Sequence, residues 1–300
     1  MAVWVIVNPR AGGGRGAVVL GGLLPLLREH GIVPTVHVCA DGSEPAPVAR
    51  AAVADGAELV VAIGGDGHAG AVAEGLLGSA VTLAVVPAGS ANDYARALGV
   101  RSLGLAELAR LLAQRPTRLV DVMAVQTADG LRHVLTVGGT GFDAVVARRA
   151  MRINRLRGAP RYVAAMLAEL PRFAATDYAL TLDGERHELA AMLIAVANGS
   201  TYGGGMRVAP SASLQSGWLE LCVVGRMSRF AFLRAFPRVF RGTHVSHPQV
   251  TMLRAREVAI SADGPRQVLG DGELIGALPV TFSVRPRALS VVAHSSAGLA

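Results

Sequence analysis

Lysine is absent from this 300-residue chain, and all 29 of its basic residues are arginine. That absence removes every chemistry built on a primary-amine side chain. A GxxxxGK[ST] phosphate loop, a protein-kinase-type strand lysine and any Schiff base are excluded. Cysteine is scarce as well. Cys39 and Cys222 are too few for a disulfide framework and lie in or beside apolar runs, which fits a reducing compartment. Long hydrophobic runs are missing too, since none approaches the roughly 20 residues that a membrane span needs. The opening MAVWVIVNPR has no basic segment ahead of its apolar stretch, so it reads as a first strand rather than an export signal. A cytoplasmic protein is expected, with any membrane contact peripheral.

What is present is a 51% hydrophobic composition, sufficient for a large core, and a formal charge of +7 with a pI near 10.5. The charge suggests an anionic partner, either a nucleotide, a phospholipid surface or nucleic acid. The motifs below favour the first two, and no nucleic-acid partner is expected. The length suits two domains. Up to about residue 115, short β-rich runs (AVWVIV, PTVHVC, ELVVAI, VTLAVV) alternate with helical stretches, which predicts an α/β domain with a parallel sheet. From 116 to 300, longer β segments with few interruptions predict a mainly antiparallel β-sandwich. Helices are expected there only near 159–170 and 228–240. The last strand, ALSVVA, can return to either domain, and the two are expected to meet over a cleft.

In a parallel α/β sheet, ligands sit at the carboxyl ends of the strands. The loops at those ends read NPRAGGGRG, GGDGH and PAGSAND, all small or polar, as close approach of backbone to phosphate demands. Gly64, Gly65 and Gly67 surround Asp66, a carboxylate that would repel phosphate without a divalent cation or a proton donor between them. Asp66 is therefore expected either to be linked to Mg²⁺, to act as a base on a hydroxyl, or to cap the following helix.

Taken with VNPRAGGGRG, VPAGSANDYARALGV, LVDV at 119–122, GTGFDA at 139–144 and GDGEL at 270–274, the loops give the chain a resemblance to the diacylglycerol kinase catalytic family, with its bacterial lipid kinases, sphingosine kinases and more distant NAD kinases. The resemblance runs in order over nearly the whole chain. It implies an α/β nucleotide-binding domain, a β-sandwich substrate domain, ATP as phosphoryl donor and Mg²⁺. Asn8, Gly12, Gly13 and Gly14 match the first nucleotide loop. Gly65, Asp66 and Gly67 match the signature loop, and Gly89, Ser90, Asn92 and Asp93 match a PxGTxND segment. Asp121 matches an aspartate after the hinge, and Asp271 with Glu273 matches a DGE segment. The resemblance implies catalytic roles for Asp66, Asp93, Asp271 and Glu273 and a metal role for Asp66 and Asp121. It leaves open whether Asp66 or Asp271 is the base. With no lysine available, Arg10, Arg15 and Arg96 are the candidate phosphate clamps, since a guanidinium fork suits a phosphate.

The chain departs from the family pattern beyond GGDG, where His68, Gly70, Ala71 and Glu74 stand at the places of Thr, Asn, Glu and a second Asn. His68 is expected to bond the nucleotide, to meet a phosphate as imidazolium, or to sit exposed at the helix start. A second-domain segment that carries aspartates for Mg²⁺ in relatives reads APSASLQSGWL here, with Ser211, Gln215 and Ser216 in those places. Neutral oxygens hold Mg²⁺ poorly, so a structural metal is not expected there.

The segment RMSRFAFLRAFPRVFRG, 226–242, holds four of the seven phenylalanines. Phe230, Leu233, Phe236 and Phe240 follow helical spacing and arginines lie elsewhere around the helix. This is a basic amphipathic pattern, suited either to an anionic bilayer or lipid, or to packing on the protein's own sheet, with Pro237 as a kink. The expected activity is ATP-dependent phosphorylation of a hydroxyl on a hydrophobic acceptor such as diacylglycerol or a sphingoid-like alcohol. A kinase for a non-lipid alcohol and a non-catalytic nucleotide- or lipid-binding regulator are the alternatives. A homodimer is compatible with the sequence.

Overall fold

The structure, a computed structural model, describes residues 2–39, 45–153, 159–295 and 297. The chain divides into two compact units, Met1–Asp121 with Pro286–Ala300, and Val122–Arg285.

The first unit is built on four parallel strands, β1 (Val3–Val7), β2 (Thr35–Val38), β3 (Leu59–Gly64) and β4 (Thr82–Pro87), in the spatial order β4-β3-β1-β2. All six residues of β3 are buried, the continuous apolar run expected of a central strand covered on both faces. Around the sheet lie α1 (Ala11–Glu29), α2 (Pro45–Ala54), α3 (Asp66–Leu76), α4 (Asp93–Ala97) and α5 (Leu105–Gln114). Helix α1 buries Val19, Leu23 and Leu27, which recur every four residues along one stripe. Gly12, Gly13 and Gly14 at its start have φ of 60°, 76° and 103°, so the regular helix begins only after them. The C-terminal residues belong to this unit. Val291 pairs in parallel with Leu83, the Ser290 and Thr82 hydroxyls meet at 3.0 Å, and the His294 N–H donates to the Leu98 carbonyl at 3.0 Å.

The second unit is mainly antiparallel. Its strands are the latter part of β5 (Thr117–Thr127), β6 (Gly130–Val134), β7 (Val137–Gly141), β8 (Thr176–Leu182), β9 (Glu185–Ala197), β10 (Leu219–Gly225), β11 (Val250–Ala255), β12 (Glu257–Ala262), β13 (Gln267–Gly270), β14 (Glu273–Ala277) and the first part of β15 (Val280–Val292). The order β13-β7-β9-β8-β12-β15 runs through it, with β10 also on β9. Strand β9 shows the two-residue period of a strand covered on both sides. Ile194 and Val196 enter a core with Met123, Tyr178, Leu221 and Phe282. Leu193, Ala195 and Ala197 enter another with Val208, Cys222 and Val239. This is the α/β plus antiparallel β-sandwich architecture that the sequence patterns predict.

Among the described residues three α-helices accompany the sandwich, α6 (Phe142–Met151), α7 (Ala159–Glu169) and α8 (Arg229–Ala235). Helix α6 was not among the helices expected from the sequence. The helix expected over 228–240 also ends early, because the chain tightens into a 3₁₀ turn over Phe236–Arg241. Pro237 accounts for this, since it brings no N–H and its ring crowds the preceding turn.

Candidate active site

The three glycine-containing loops follow β1, β3 and β4 and are joined backbone to backbone. The Arg10 N–H donates to the Asn8 side chain at 3.0 Å, turning the chain out of β1. A Cβ on Gly12 would lie 2.2 Å from the Ala88 carbonyl oxygen, so the first loop reaches the third only because Gly12 has no side chain. Likewise a Cβ on Gly89 would lie 2.5 Å from Cα of Gly65. The third loop is closed on itself by Asn92, whose side-chain oxygen accepts the Gly89 N–H at 2.9 Å and whose amide donates to the Gly89 carbonyl at 2.8 Å. Asn92 adopts φ 53°, a left-handed conformation that asparagine tolerates better than most side chains. Ser90 stands exposed at the tip of this loop, and Gly13 and Arg15 are exposed in the first.

Asp66 opens α3, and its carboxylate accepts the Tyr94 N–H at 2.9 Å, so it stitches the second loop to the start of α4. Burial pushes its carboxyl above the usual aspartate range. The N–H groups of Tyr94, Asp93 and Asn92 oppose that shift, and the neighbouring Asp93 charge adds to it. Asp93 is buried and lies 3.6 Å from the guanidinium of Arg96. Asp66 and Asp93 are thus neighbouring carboxylates, a donor type that suits a divalent cation. Asp121 is engaged differently. It is buried, and its carboxylate accepts the Arg287 N–H at 2.9 Å, tying β5 to the returning C-terminal strand. Among the described residues no group of three or more His, Cys, Asp or Glu side chains is arranged to hold a metal ion.

His68 departs from its expected place. It is buried, and its Nε2 lies 3.0 Å from the Ile6 carbonyl of β1. Its Nε2–H donates to that carbonyl and burial lowers its pKa, so the ring is turned into the sheet rather than to a phosphate or an exposed helix start. Gly64 has no room for a side chain, since a Cβ there would lie 2.6 Å from the His68 ring.

In the second unit, Asp271 follows β13 with φ 46°. Its carboxylate accepts the Leu135 N–H at 2.7 Å, the Thr136 N–H at 2.9 Å and the Thr136 hydroxyl at 2.5 Å, while its own N–H donates to the Val137 carbonyl at 3.0 Å. Both oxygens are thus committed to the β6–β7 connection. The buried Asn198 supports the same connection, its amide donating to the Leu135 carbonyl at 2.9 Å. Glu273, two residues on, begins β14 with its side chain exposed.

Beside this arrangement lies a small cavity lined by Gly138, Gly139, Thr140, Asp143, Ile194 and Tyr202. The Tyr202 hydroxyl donates a short hydrogen bond to the Asp143 carboxylate. Desolvation pushes the Asp143 carboxyl up to about 6 against the pull of that bond. The pair was not among the sequence-derived site residues, although Asp143 lies within the GTGFDA motif. In APSASLQSGWL, the Ser213 hydroxyl accepts the Gln215 N–H at 3.2 Å, and the Ser216 hydroxyl donates to the Trp218 carbonyl at 3.1 Å. Trp218 is flanked by the guanidinium groups of Arg254 and Arg256, at 4.8 and 4.5 Å from its ring centre.

An α/β unit with glycine loops at its parallel strand ends, joined in one chain to a β-sandwich bearing an Asp-Gly-Glu turn, defines a phosphotransferase that uses an alcohol group as acceptor. The chain belongs to the diacylglycerol kinase family: residues 2–125 match the diacylglycerol kinase catalytic domain, and residues 136–293 match the YegS C-terminal NAD kinase beta sandwich-like domain. It is 33% identical to a diacylglycerol kinase of Mycobacterium tuberculosis over 97% of this chain and 94% of that protein. With a diacylglycerol kinase of Bacillus subtilis the identity is 26%, over 96% and 95%. A crystal structure of a diacylglycerol kinase from Bacillus anthracis shares the fold, with a TM-score of 0.75 at 21% identity, covering 99% of this chain and 98% of that one. Among the described residues no helix is long and apolar enough to cross a membrane.

Proposed function

We propose that the protein is an ATP-dependent, Mg²⁺-requiring lipid kinase that phosphorylates a hydroxyl of a hydrophobic acceptor, with diacylglycerol or a sphingoid-like long-chain alcohol as the substrate class. The observation that carries this reading is the contact of bare backbone between the strand-end loops at Gly12 and Ala88 and at Gly65 and Gly89, with Asp66 locked beside them. Three glycines in series carry no side chains, which lets the oxygens of a polyphosphate come close to the backbone of the first loop, whose Gly13 and Gly14 N–H groups themselves donate to the Arg10 carbonyl. Asn8, Gly12, Gly13, Gly14, Gly65, Gly67, Gly89, Ser90 and Asn92 form this cradle, and Arg10 supplies positive charge. Asp66 would hold Mg²⁺ beside the nucleotide, where the ion would supply neutralisation of phosphate charge.

Asp271 and Glu273 divide the remaining work. A carboxylate that already accepts three hydrogen bonds is poorly placed to take a proton, so Asp271 holds the left-handed turn in position. Glu273, exposed two residues on, is the base. It takes the proton of the acceptor hydroxyl as that oxygen bonds to the γ-phosphorus, the bond to the β-phosphate oxygen breaks, and ADP leaves. His68 takes no part, because its ring is turned to β1.

The test is transfer of labelled γ-phosphate to diacylglycerol and sphingoid alcohols in mixed micelles. Glu273→Gln should lower transfer by at least about 100-fold with thermal stability unchanged. Asp271→Asn should lower stability together with activity. An active wild type with near-normal Glu273→Gln would overturn the base assignment, and a wild type inactive on every lipid acceptor would overturn the lipid reading.

A further inference from the structure

Helices α6, α7 and α8 enclose a single apolar cluster that includes Phe142, Ala165, Met166, Leu170 and Phe232. The Phe142 and Phe232 rings meet edge to face with centroids 5.1 Å apart. Each helix also carries apolar side chains that turn away from this cluster. On α7, Ala165 is buried while Val163 and Leu167, two positions to either side, are 44% and 52% exposed. On α8, Phe232 is buried while Phe230, two positions earlier, is 77% exposed. Two positions along a helix are roughly 200° of rotation, so Val163 and Leu167 turn away from Ala165, and Phe230 turns away from Phe232. Val163 and Leu167 form one row, and Phe230 and Leu233 another. The cluster needs none of them for its own packing. Single exposed apolar residues are ordinary, but rows on two helices around one cluster mark an interaction surface.

Charge indicates what covers this surface. From Arg226 to Pro248 the chain carries five arginines and no acidic residue. Arg226, Arg229 and Arg234 are exposed beside Phe230 and Leu233. On α7, Glu169 is paired with Arg149 at 2.7 Å. An apolar ridge fringed by uncompensated arginines complements a bilayer bearing anionic headgroups, with the aromatic and aliphatic tips below the headgroup level and the guanidinium groups among the phosphates. We propose that the outer rows of α7 and α8 dock this protein on an anionic membrane surface. The proposal deepens the lipid-kinase reading, since it supplies the way in which an acceptor dissolved in a bilayer is reached, but binding can be measured without turnover.

The experiment is cosedimentation of the full chain, without ATP, with vesicles of phosphatidylcholine alone and with about one third phosphatidylglycerol. Binding to the anionic vesicles should exceed binding to the neutral ones by about tenfold or more and fall with added salt. The double variant Leu167→Ser with Phe230→Ser should lose about tenfold in binding while its Tm stays at the wild-type value, because both side chains are exposed. Arg229→Gln with Arg234→Gln should lose the preference for anionic vesicles. Phosphorylation of a short-chain, water-soluble acceptor without vesicles should be unchanged in these variants, while the rate on vesicle-embedded acceptor falls, so failure of docking and failure of the kinase reading give different patterns. A wild type that ignores vesicles, or serine variants that bind as well as wild type, would overturn the proposal. Self-association that the serine variants abolish, without vesicle binding, would assign the ridge to a second copy and overturn it too.

Discussion

The Asp66 carboxylate and the Tyr94 N–H are 2.9 Å apart across 28 positions of sequence, and this bond makes the GGDG loop and the first turn of α4 one hydrogen-bonded piece. The carboxylate therefore has a structural partner as well as the metal role proposed for it. Asp66→Asn separates the two, because the amide oxygen still accepts from Tyr94 while the charge is gone. Stability should change by no more than about 1 kcal/mol, and phosphoryl transfer should fall by at least about 100-fold. Thermal unfolding alongside the transfer assay checks both, and a variant with more than a tenth of wild-type turnover would remove Asp66 from the chemistry.

The close approach of Gly89 to Gly65 gives a second contrast. Gly89→Ala places a methyl group 2.5 Å from Cα of Gly65, where only backbone can give way. A destabilisation of about 1–3 kcal/mol is expected, with weakened nucleotide binding because both loops must shift. Gly14→Ala has no atom within 4 Å of the new Cβ and bears only the strain of φ 103°. It should cost about 1 kcal/mol and affect binding less. Denaturant unfolding and nucleotide titration compare the pair, and equal losses of affinity would mean that loop contact is not what shapes the cradle.

Asp143 predicts a pH dependence of stability. Its pKa is raised from 3.8 to about 6 by desolvation, so between those values the folded chain keeps a proton that the unfolded chain has released. The stabilisation from this group is complete below 3.8 and is lost as pH rises through about 6. Asp143 keeps some solvent contact, so the linkage figure of roughly 3 kcal/mol for the full shift is an upper bound. Asp143→Asn still accepts from Tyr202 and does not titrate. Its Tm relative to wild type should therefore rise between pH 5 and pH 8, and parallel Tm profiles would contradict the assignment.

The sequence made the loops and strands legible for physical reasons that differ from those hiding the rest. VWVIV and LVVAIG are β-branched runs bounded by glycine or asparagine, and no other element accommodates them as well. Helix α6 was hidden because FDAVVARRAM pairs two valines with arginines and is preceded by Gly141 rather than a serine, threonine or aspartate cap. The bearing of His68 was hidden because adjacency in GGDGH says nothing about rotation. Once the helix begins at Asp66, His68 lies roughly 200° around it and faces β1 while Asp66 faces α4. The GDGEL segment carries both Asp271 and Glu273, and the resemblance implies catalytic roles for both. What distinguishes them is a backbone connection more than a hundred residues earlier, at Leu135 and Thr136, which consumes the oxygens of only one.

The return of the C-terminal residues to the first unit bears on how the molecule is made. Ribosomes deliver the N-terminal residues first, yet the edge of β4 at Leu83, the Pro116 carbonyl, the Leu98 carbonyl and the Asp121 carboxylate are all satisfied by residues 287–294. A nascent chain can assemble the four parallel strands early, but it carries an open sheet edge until the whole second unit has been synthesised. Such edges invite pairing with other chains. The first unit is thus begun before the second and completed after it, and nascent chains are most exposed to aggregation in the interval between.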